Sequence, residues 1–287
     1  MSVNPVFDSY GPALRAALEA NVKAAIAEDV GSGDLTGLLV PAEKLARARV
    51  IVREPAVLCG QPWFEACMTA VDSRLQVRWL KEEGARMAPD DAVCEITGPA
   101  RALLTAERPS LNFLQLLSGV ATATRRYADL IAGTRARVLD TRKTLPGLRL
   151  AQKYAVKLGG GENQRLALYD GILIKENHIA AAGSITAAMQ AAFALGSDAT
   201  VQVEVESIAE LEEALNAGAK SILIDNFTLE MMREAVAINR ERALLEVSGG
   251  VNYETIRAFA ETGVDRISVG ALTKDVRATD YSLRIIG

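Results

Sequence analysis

The second half of the chain repeats one unit. Short, nearly continuous apolar segments occupy residues 137–140, 171–174, 200–205, 221–225, 243–247 and 266–269, separated by stretches of helical character. Their C-terminal ends keep a regular interval: from Glu204 to Asp225, to Ser248, to Gly270 the steps are 21, 23 and 22 residues. Such a step holds one strand and the helical crossover that a parallel neighbour requires. Strands apolar on both faces belong to a parallel sheet covered by helices. Ser207 with Glu210 three residues on starts one of these helices, and Gly218 stops it. Asn252 and Gly263 bracket a later one in the same way. The spacing predicts a parallel barrel or a parallel open sheet, and the barrel is favoured.

The first half has another rhythm. Apolar residues at helical spacing (Leu14, Leu18, Val22, Ala25, Ile26) predict an amphipathic helix over 12–28, followed by a Gly- and Asp-rich loop at 28–36. Strand-like segments at 46–52, 75–80 and 92–96 enclose a short helical stretch at 61–71, giving a small α+β domain. Residues 100–132 turn helical and bridge the two parts. Pro109 predicts a break or a new first turn there, because proline in a helix interior removes a hydrogen bond. The cut falls at 115/116: an N-terminal α+β domain over 1–115 and an α/β barrel over 116–287, with the C-terminal tail packing back on the first domain.

With 49% hydrophobic and 24% charged residues, the 287-residue chain is an ordinary globular protein. Its formal net charge of −4 argues against nucleic acid, which selects a broad basic face. No run of about 18 apolar residues predicts a membrane span, and the first residues have no basic-then-apolar leader pattern. Cys59, Cys67 and Cys94 lack metal-ligand spacing and read as reduced core thiols of a cytoplasmic protein. The single histidine, His178, excludes a multi-histidine metal site and reads as a hydrogen-bonded structural residue.

Against that acidic background, residues 139–179 hold Arg142, Lys143, Arg149, Lys153, Lys157, Arg165 and Lys175 but only Asp140, Glu162, Asp170 and Glu176. A local excess of basic groups beside strand ends suits a small, multiply charged anion. In βα barrels reactive groups gather at the C-terminal ends of strands. Here those ends carry cations first (Arg142 with Lys143, then Lys175), carboxylates next (Glu204, Asp225) and glycine-rich turns last (Ser248-Gly249-Gly250, Gly270). The cations can hold carboxylates or a pyrophosphate, the carboxylates vicinal hydroxyls or Mg²⁺, and the turns a phosphate. Simpler explanations exist for single members. Arg149, Lys153 and Lys157 also describe a solvated helix face, Gly159 to Gly161 a flexible helix-end connector as readily as a ligand contact, and Glu204 a structural partner of Lys175. A strand-end lysine also suits a Schiff base. Co-location on one face favours the anion pocket.

The motifs EDVGSGDLT, ERPSLNFLQLLSGVAT, DTRKTLPGLR, KYAV with GGG, LIKENHI, VEVES, LIDNF, EVSGGV and TGVDRISVGALTK stand in this order along nearly the whole chain. In them the sequence resembles the quinolinate phosphoribosyltransferases, or nicotinate-nucleotide pyrophosphorylases (carboxylating). The resemblance implies an N-terminal α+β sandwich-like domain, an incomplete seven-stranded TIM-like barrel, and a homodimer in which Arg108 reaches the neighbouring subunit's site. It implies transfer of phosphoribosyl from phosphoribosyl pyrophosphate to quinolinate with Mg²⁺, releasing pyrophosphate and CO₂. Lys143, Lys175, Glu204 and Asp225 would carry the chemistry. Arg142, Arg165 and Lys175 would hold the quinolinate carboxylates, with Thr141 and Gln164 among the substrate contacts and Lys143 near the pyrophosphate. Glu204 and Asp225 would take the ribose hydroxyls or the metal, directly or through substrate oxygens. Ser248, Gly249 and Gly250, with Val269, Gly270 and Ala271, would cradle the 5′-phosphate.

Two departures bear on this. Gln164 stands where the family usually has histidine, and it donates a hydrogen bond without a charge; activity with weaker substrate binding is expected. Pro109-Ser110 replaces the commoner Thr-Ala and is expected to tighten a turn aiming Arg108. Two rivals stay open on the residues: a phosphoribosyltransferase for nicotinate or another small acid, and a non-catalytic sensor of quinolinate or phosphoribosyl pyrophosphate.

Overall fold

The computed structural model describes residues 4–287. Two compact units interleave along the chain. The first gathers residues up to Arg125 with Thr144–Gly160 and Leu272–Gly287; the second is Arg126–Lys143 with Gly161–Ala271. The cut at 115/116 follows chain order, whereas these units return to the first one twice.

In the first unit, β1 (Leu45–Val52), β2 (Ala56–Val57), β3 (Gln76–Trp79), β4 (Arg86–Met87) and β5 (Ala92–Pro99) are all antiparallel in their pairings. The chain's last strand, Tyr281–Ile285, pairs with β1 and completes a four-stranded sheet with β5 and β3. Burial along β1 alternates, with Ala46, Ala48, Val50 and Val52 turned inward as strand periodicity requires. Ala48, Val50 and Val52 pack with Phe64, Met68, Ile96, Leu103, Leu111 and Leu114 in one core. The helix expected at 12–28 spans Gly11–Val30 and buries Leu14, Leu18 and Val22. Cys59, Cys67 and Cys94 are free and buried.

The break expected at Pro109 does not occur. One 31-residue helix, Ala100–Leu130, runs through the proline, so there is also no turn at Pro109-Ser110 to aim Arg108. Leu103 and Ala106 before the proline and Leu111 and Leu114 after it belong to the same buried cluster. Proline inside a helix costs about 3 kcal/mol, and burying one leucine returns roughly 1.5–3 kcal/mol. Packing decides.

Helix Arg149–Leu158 corrects a second expectation. Lys157 is exposed, its Nζ 4.8 Å from the Tyr10 ring centroid, but Lys153 is fully buried and so leaves the solvated face. Tyr154, from the same helix, donates its hydroxyl to Glu83 (2.9 Å), which also accepts from the Gly60 (2.8 Å) and Gln61 (3.2 Å) N–H groups. Although part of Glu83 meets solvent, its carboxyl end is enclosed. Desolvation raises its pKa to about 7 against the lowering by these donors, while the charge of Glu65 adds to the rise. The folded state then holds a proton that the unfolded chain releases near pH 4.5. Stability is fully present below pH 4.5 and falls as pH rises through about 7. Between pH 5 and 8 the wild type should lose about 2 kcal/mol that Glu83→Gln does not lose. Urea denaturation of both proteins at the two pH values measures the difference.

The second unit contains the predicted parallel sheet: β6 (Arg137–Leu139), β7 (Gly171–Ile174), β8 (Thr200–Val205), β9 (Ser221–Asp225), β10 (Leu244–Ser248) and β11 (Arg266–Ser268). Its order is β6-β11-β10-β9-β8-β7, every pair parallel. Beside β6, Glu162 forms a one-residue parallel bridge with Leu139 and holds a seventh position. Among the described residues no ladder joins Glu162 to β7, so the sheet is parallel α/β without a closed ring of strand hydrogen bonds. The expected helix signals hold. Ser207 Oγ accepts from the Glu210 N–H (3.3 Å), and Glu210 reaches back to the Glu206 N–H (2.6 Å). Gly218 ends that helix at φ +89°.

Candidate active site

Apart from Arg108, every residue given a substrate or catalytic role above lies in the second unit, just beyond the Glu162 bridge or at or just beyond the C-terminal end of a parallel strand. Thr141, Arg142 and Lys143 follow β6, where the Lys143 N–H donates to Thr141 Oγ1 (3.1 Å). Ser268 of β11 stands opposite Leu139, and the Val269 N–H donates to the Leu139 carbonyl (2.9 Å). This register puts Gly270 against the cationic turn. A methyl group on Gly270 would lie 3.2 Å from Lys143 Cδ and 3.7 Å from Thr141 Oγ1. The phosphate-type turn and the lysine are therefore neighbours.

Gln164 and Arg165 leave the Glu162 bridge. Asp140, wholly buried, accepts from Asn163 Nδ2 (2.7 Å) and from the Gln164 N–H (3.0 Å), so one carboxylate fixes this turn. Arg165 donates to the Gly171 carbonyl (2.9 Å). The Nε atoms of Arg142 and Arg165 are both buried with no hydrogen-bond partner among the described residues. Burial, and after it the charge of Arg142, lowers the pKa of the Arg165 guanidinium. Two neighbouring guanidinium groups with unused donors have the chemistry to receive an anion.

Lys175 immediately follows β7, and its Nζ lies 2.6 Å from Glu204 Oε2. The Glu204 side chain is only 10% exposed while that of Lys175 is 42% exposed, so the carboxylate is the sequestered partner. The Lys175 N–H donates to His178 Nδ1 (3.1 Å), which gives His178 the structural role expected of it. At the end of β9, Asp225 accepts from Asn226 Nδ2 (2.9 Å).

Ser248 ends β10 and is followed by two left-handed glycines, Gly249 at φ +92° and Gly250 at φ +64°. A side chain on Gly249 would meet Asn226 Oδ1 at 2.5 Å, whereas Gly250 faces open space. Glycine is thus required at Gly249 by sterics and at both positions by conformation. Arg108 belongs to the first unit and is exposed on helix Ala100–Leu130.

Sequence reasoning missed the polar residues that hold this arrangement, notably Asn163 and Asn226. Each directly adjoins a singled-out residue, and asparagine in a strand-end loop is a turn-forming signal. Glu204 and Asp225 are the carboxylates available for a cation, and no group of three or more His, Cys, Asp or Glu able to hold a metal occurs among the described residues. No helix among them is long and apolar enough to cross a membrane.

The chain matches two family models in succession: quinolinate phosphoribosyl transferase, N-terminal domain, over residues 34–118, and its C-terminal domain over residues 120–284. It is 40% identical over 272 residues to the nicotinate-nucleotide pyrophosphorylase [carboxylating] of Mycobacterium leprae, covering 91% of this chain and 95% of that one. It is 39% identical over 259 residues to a probable enzyme of the same name from Bacillus subtilis, covering 90% of each. The solved nicotinate-nucleotide pyrophosphorylase of Francisella tularensis superposes with a TM-score of 0.93 at 43% identity, covering 94% of this chain and 96% of that one.

Proposed function

The chain belongs to the quinolinate phosphoribosyltransferase family, and on that premise we propose that it transfers phosphoribosyl from phosphoribosyl pyrophosphate to quinolinate with decarboxylation, a step of NAD biosynthesis. The observation that carries the reading is the pair Arg142 and Arg165, whose buried Nε donors lack partners. Like charges held together this way favour a dianion, and quinolinate presents two adjacent carboxylates. Lys175 adds a third cation. A monocarboxylate would leave that excess unmatched.

The proposed roles are those the family resemblance implies, and the strand-end positions support them. Arg142, Arg165 and Lys175 hold quinolinate with its nitrogen toward the sugar. Lys143, beside Gly270, takes the pyrophosphate, and the glycine turns after β10 and β11 take the 5′-phosphate through backbone N–H groups. As pyrophosphate departs with the electron pair of its bond to the anomeric carbon, positive charge develops on the ribose ring. Glu204 and Asp225 stabilise that charge from fixed positions. The pyridine nitrogen then bonds to the anomeric carbon. The quaternised ring accepts the electron pair left when the 2-carboxylate departs as CO₂, and the ring carbon takes a proton. The protein contributes position and charge, without a covalent nucleophile.

Magnesium fits this donor set in one manner. Two carboxylates, one already engaged by Lys175, suit an ion carried mainly on substrate phosphate oxygens, whose charge it would neutralise when bound. The proposal also includes a cytoplasmic homodimer in which Arg108 crosses to the neighbouring subunit's site.

Purified protein supplied with Mg²⁺ and phosphoribosyl pyrophosphate should convert quinolinate to nicotinate mononucleotide with one CO₂ per product, and leave nicotinate unchanged. Product from nicotinate alone would move the protein to the non-decarboxylating activity. Binding without turnover of either acid would establish the sensor.

A further inference from the structure

Two residues before Glu204, Ser248 and Gly270, at or just past the ends of β8, β10 and β11, lies another polar side chain: Gln202, Glu246 and Ser268. A strand's side chains repeat in direction every second residue. This second set therefore lies on the same sheet face as the first, one layer deeper. All three are buried, at 6%, 1% and 6% exposure. They are also bonded to one another. Gln164 Nε2 donates to Gln202 Oε1 (2.9 Å), Gln202 Nε2 donates to Glu246 Oε2 (2.9 Å), and the Ser268 hydroxyl donates to Glu246 Oε1.

The chain of bonds has a direction. Both Glu246 oxygens accept, Oε2 from Gln202 and Oε1 from Ser268, so the NH₂ end of Gln202 faces Glu246. The carbonyl end of Gln202 is thereby turned to Gln164, and position 164 must offer a donor. Glutamine meets that demand. On the other side, Ser268 is tied to Glu246 immediately before the turn Val269, Gly270, Ala271.

We propose that Glu246 is a positioning residue whose carboxylate, through Gln202 and Ser268, orients Gln164 at the dicarboxylate end of the site and the Val269–Gly270 turn at its phosphate end, so that the two substrates bind cooperatively. This rests on the function proposed above and adds the coupling between the subsites. Buried polar networks that are fully bonded rigidify what they hold, and a shared support lets one ligand fix what the next requires. None of the three deeper residues needs to touch substrate.

Initial rates over a matrix of quinolinate and phosphoribosyl pyrophosphate concentrations test this for the wild type, Glu246→Gln and Ser268→Ala, each checked by thermal melting. Glutamine at 246 keeps the volume and loses the enforced direction. Glu246→Gln should raise the KM for quinolinate about tenfold while lowering kcat less than threefold, and remove the mutual dependence of the two KM values. Ser268→Ala should raise chiefly the KM for phosphoribosyl pyrophosphate. Unchanged KM values and unchanged mutual dependence in both variants would overturn the proposal. So would a lower melting temperature with kcat reduced and both KM values intact, since that marks a structural role. Wild-type turnover on these substrates is read separately. Its absence removes the activity and this inference together, whereas its presence with unaltered variants removes only the inference.

Discussion

Replacing Lys175 by alanine is expected to lower kcat/KM for quinolinate about a thousandfold, corresponding to roughly 4 kcal/mol of lost transition-state stabilisation. Two effects combine. The substrate loses a charged hydrogen bond, and Glu204, whose side chain is 10% exposed, loses the ammonium group 2.6 Å away. Removing one partner of a sequestered ion pair costs more than the pair contributes, because the remaining charge stays desolvated. Glu204 would then repel the incoming dianion. Lys175→Ala combined with Glu204→Gln should accordingly lose much less than the product of the two single losses, the signature of coupled neighbours. Lys175→Arg should fall between, since a planar fork does not replace a compact ammonium at that distance. A Schiff-base lysine predicts otherwise: arginine would be as inactive as alanine, and borohydride with substrate would label Lys175. No labelled adduct is expected.

How far the sequence disclosed this architecture differs between its parts. The parallel strands were legible because each is an apolar run with a fixed interval, and their strand-end residues followed from the same count. Boundaries moved by a residue, as where the segment expected at 243–247 is observed as Leu244–Ser248. The seventh position was not legible. Glu162 makes a single bridge to Leu139 at the end of β6, and one residue has no periodicity to detect. Pro109 misled because local propensity opposes the helix while a core contact, visible only in three dimensions, favours it. Lys153 misled for a related reason. Its i, i+4 relation to Arg149 and Lys157 suggested a common face, but the helix turns it into the interior. The deeper layer of Gln202, Glu246 and Ser268 stood in plain view as polar residues within apolar strands. Its meaning required the register that brings the strands together.

The triple glycine, left open between ligand contact and flexible connector, takes neither role at its first position. Gly159 ends helix Arg149–Leu158 with φ −67° and ψ −9°, a right-handed conformation that any residue adopts. Within the first unit, a methyl group there would lie 2.5 Å from Thr124 Cβ and 2.6 Å from the Ala121 carbonyl oxygen. The helix end is thus pressed against the backbone of helix Ala100–Leu130. Glycine is kept by contact, without any conformational need. This makes the sign of Gly159→Ala informative. Were the position open, alanine would stabilise the fold by about 0.4–1 kcal/mol through the lower entropy of the unfolded chain. With backbone in the way, the helices must separate, and a loss of about 3 kcal/mol is expected, at the upper end of overpacking costs. Gly183→Ala supplies the control. Gly183 has φ +93° and nothing within 4 Å of its would-be methyl group, so its cost is conformational alone, about 1 kcal/mol. Denaturant titrations of the three proteins should rank the wild type first, Gly183→Ala second and Gly159→Ala last. Gly159→Ala at or above the wild type would show that the close approach of the two helices relaxes freely, and would return the triple glycine to a connector's role.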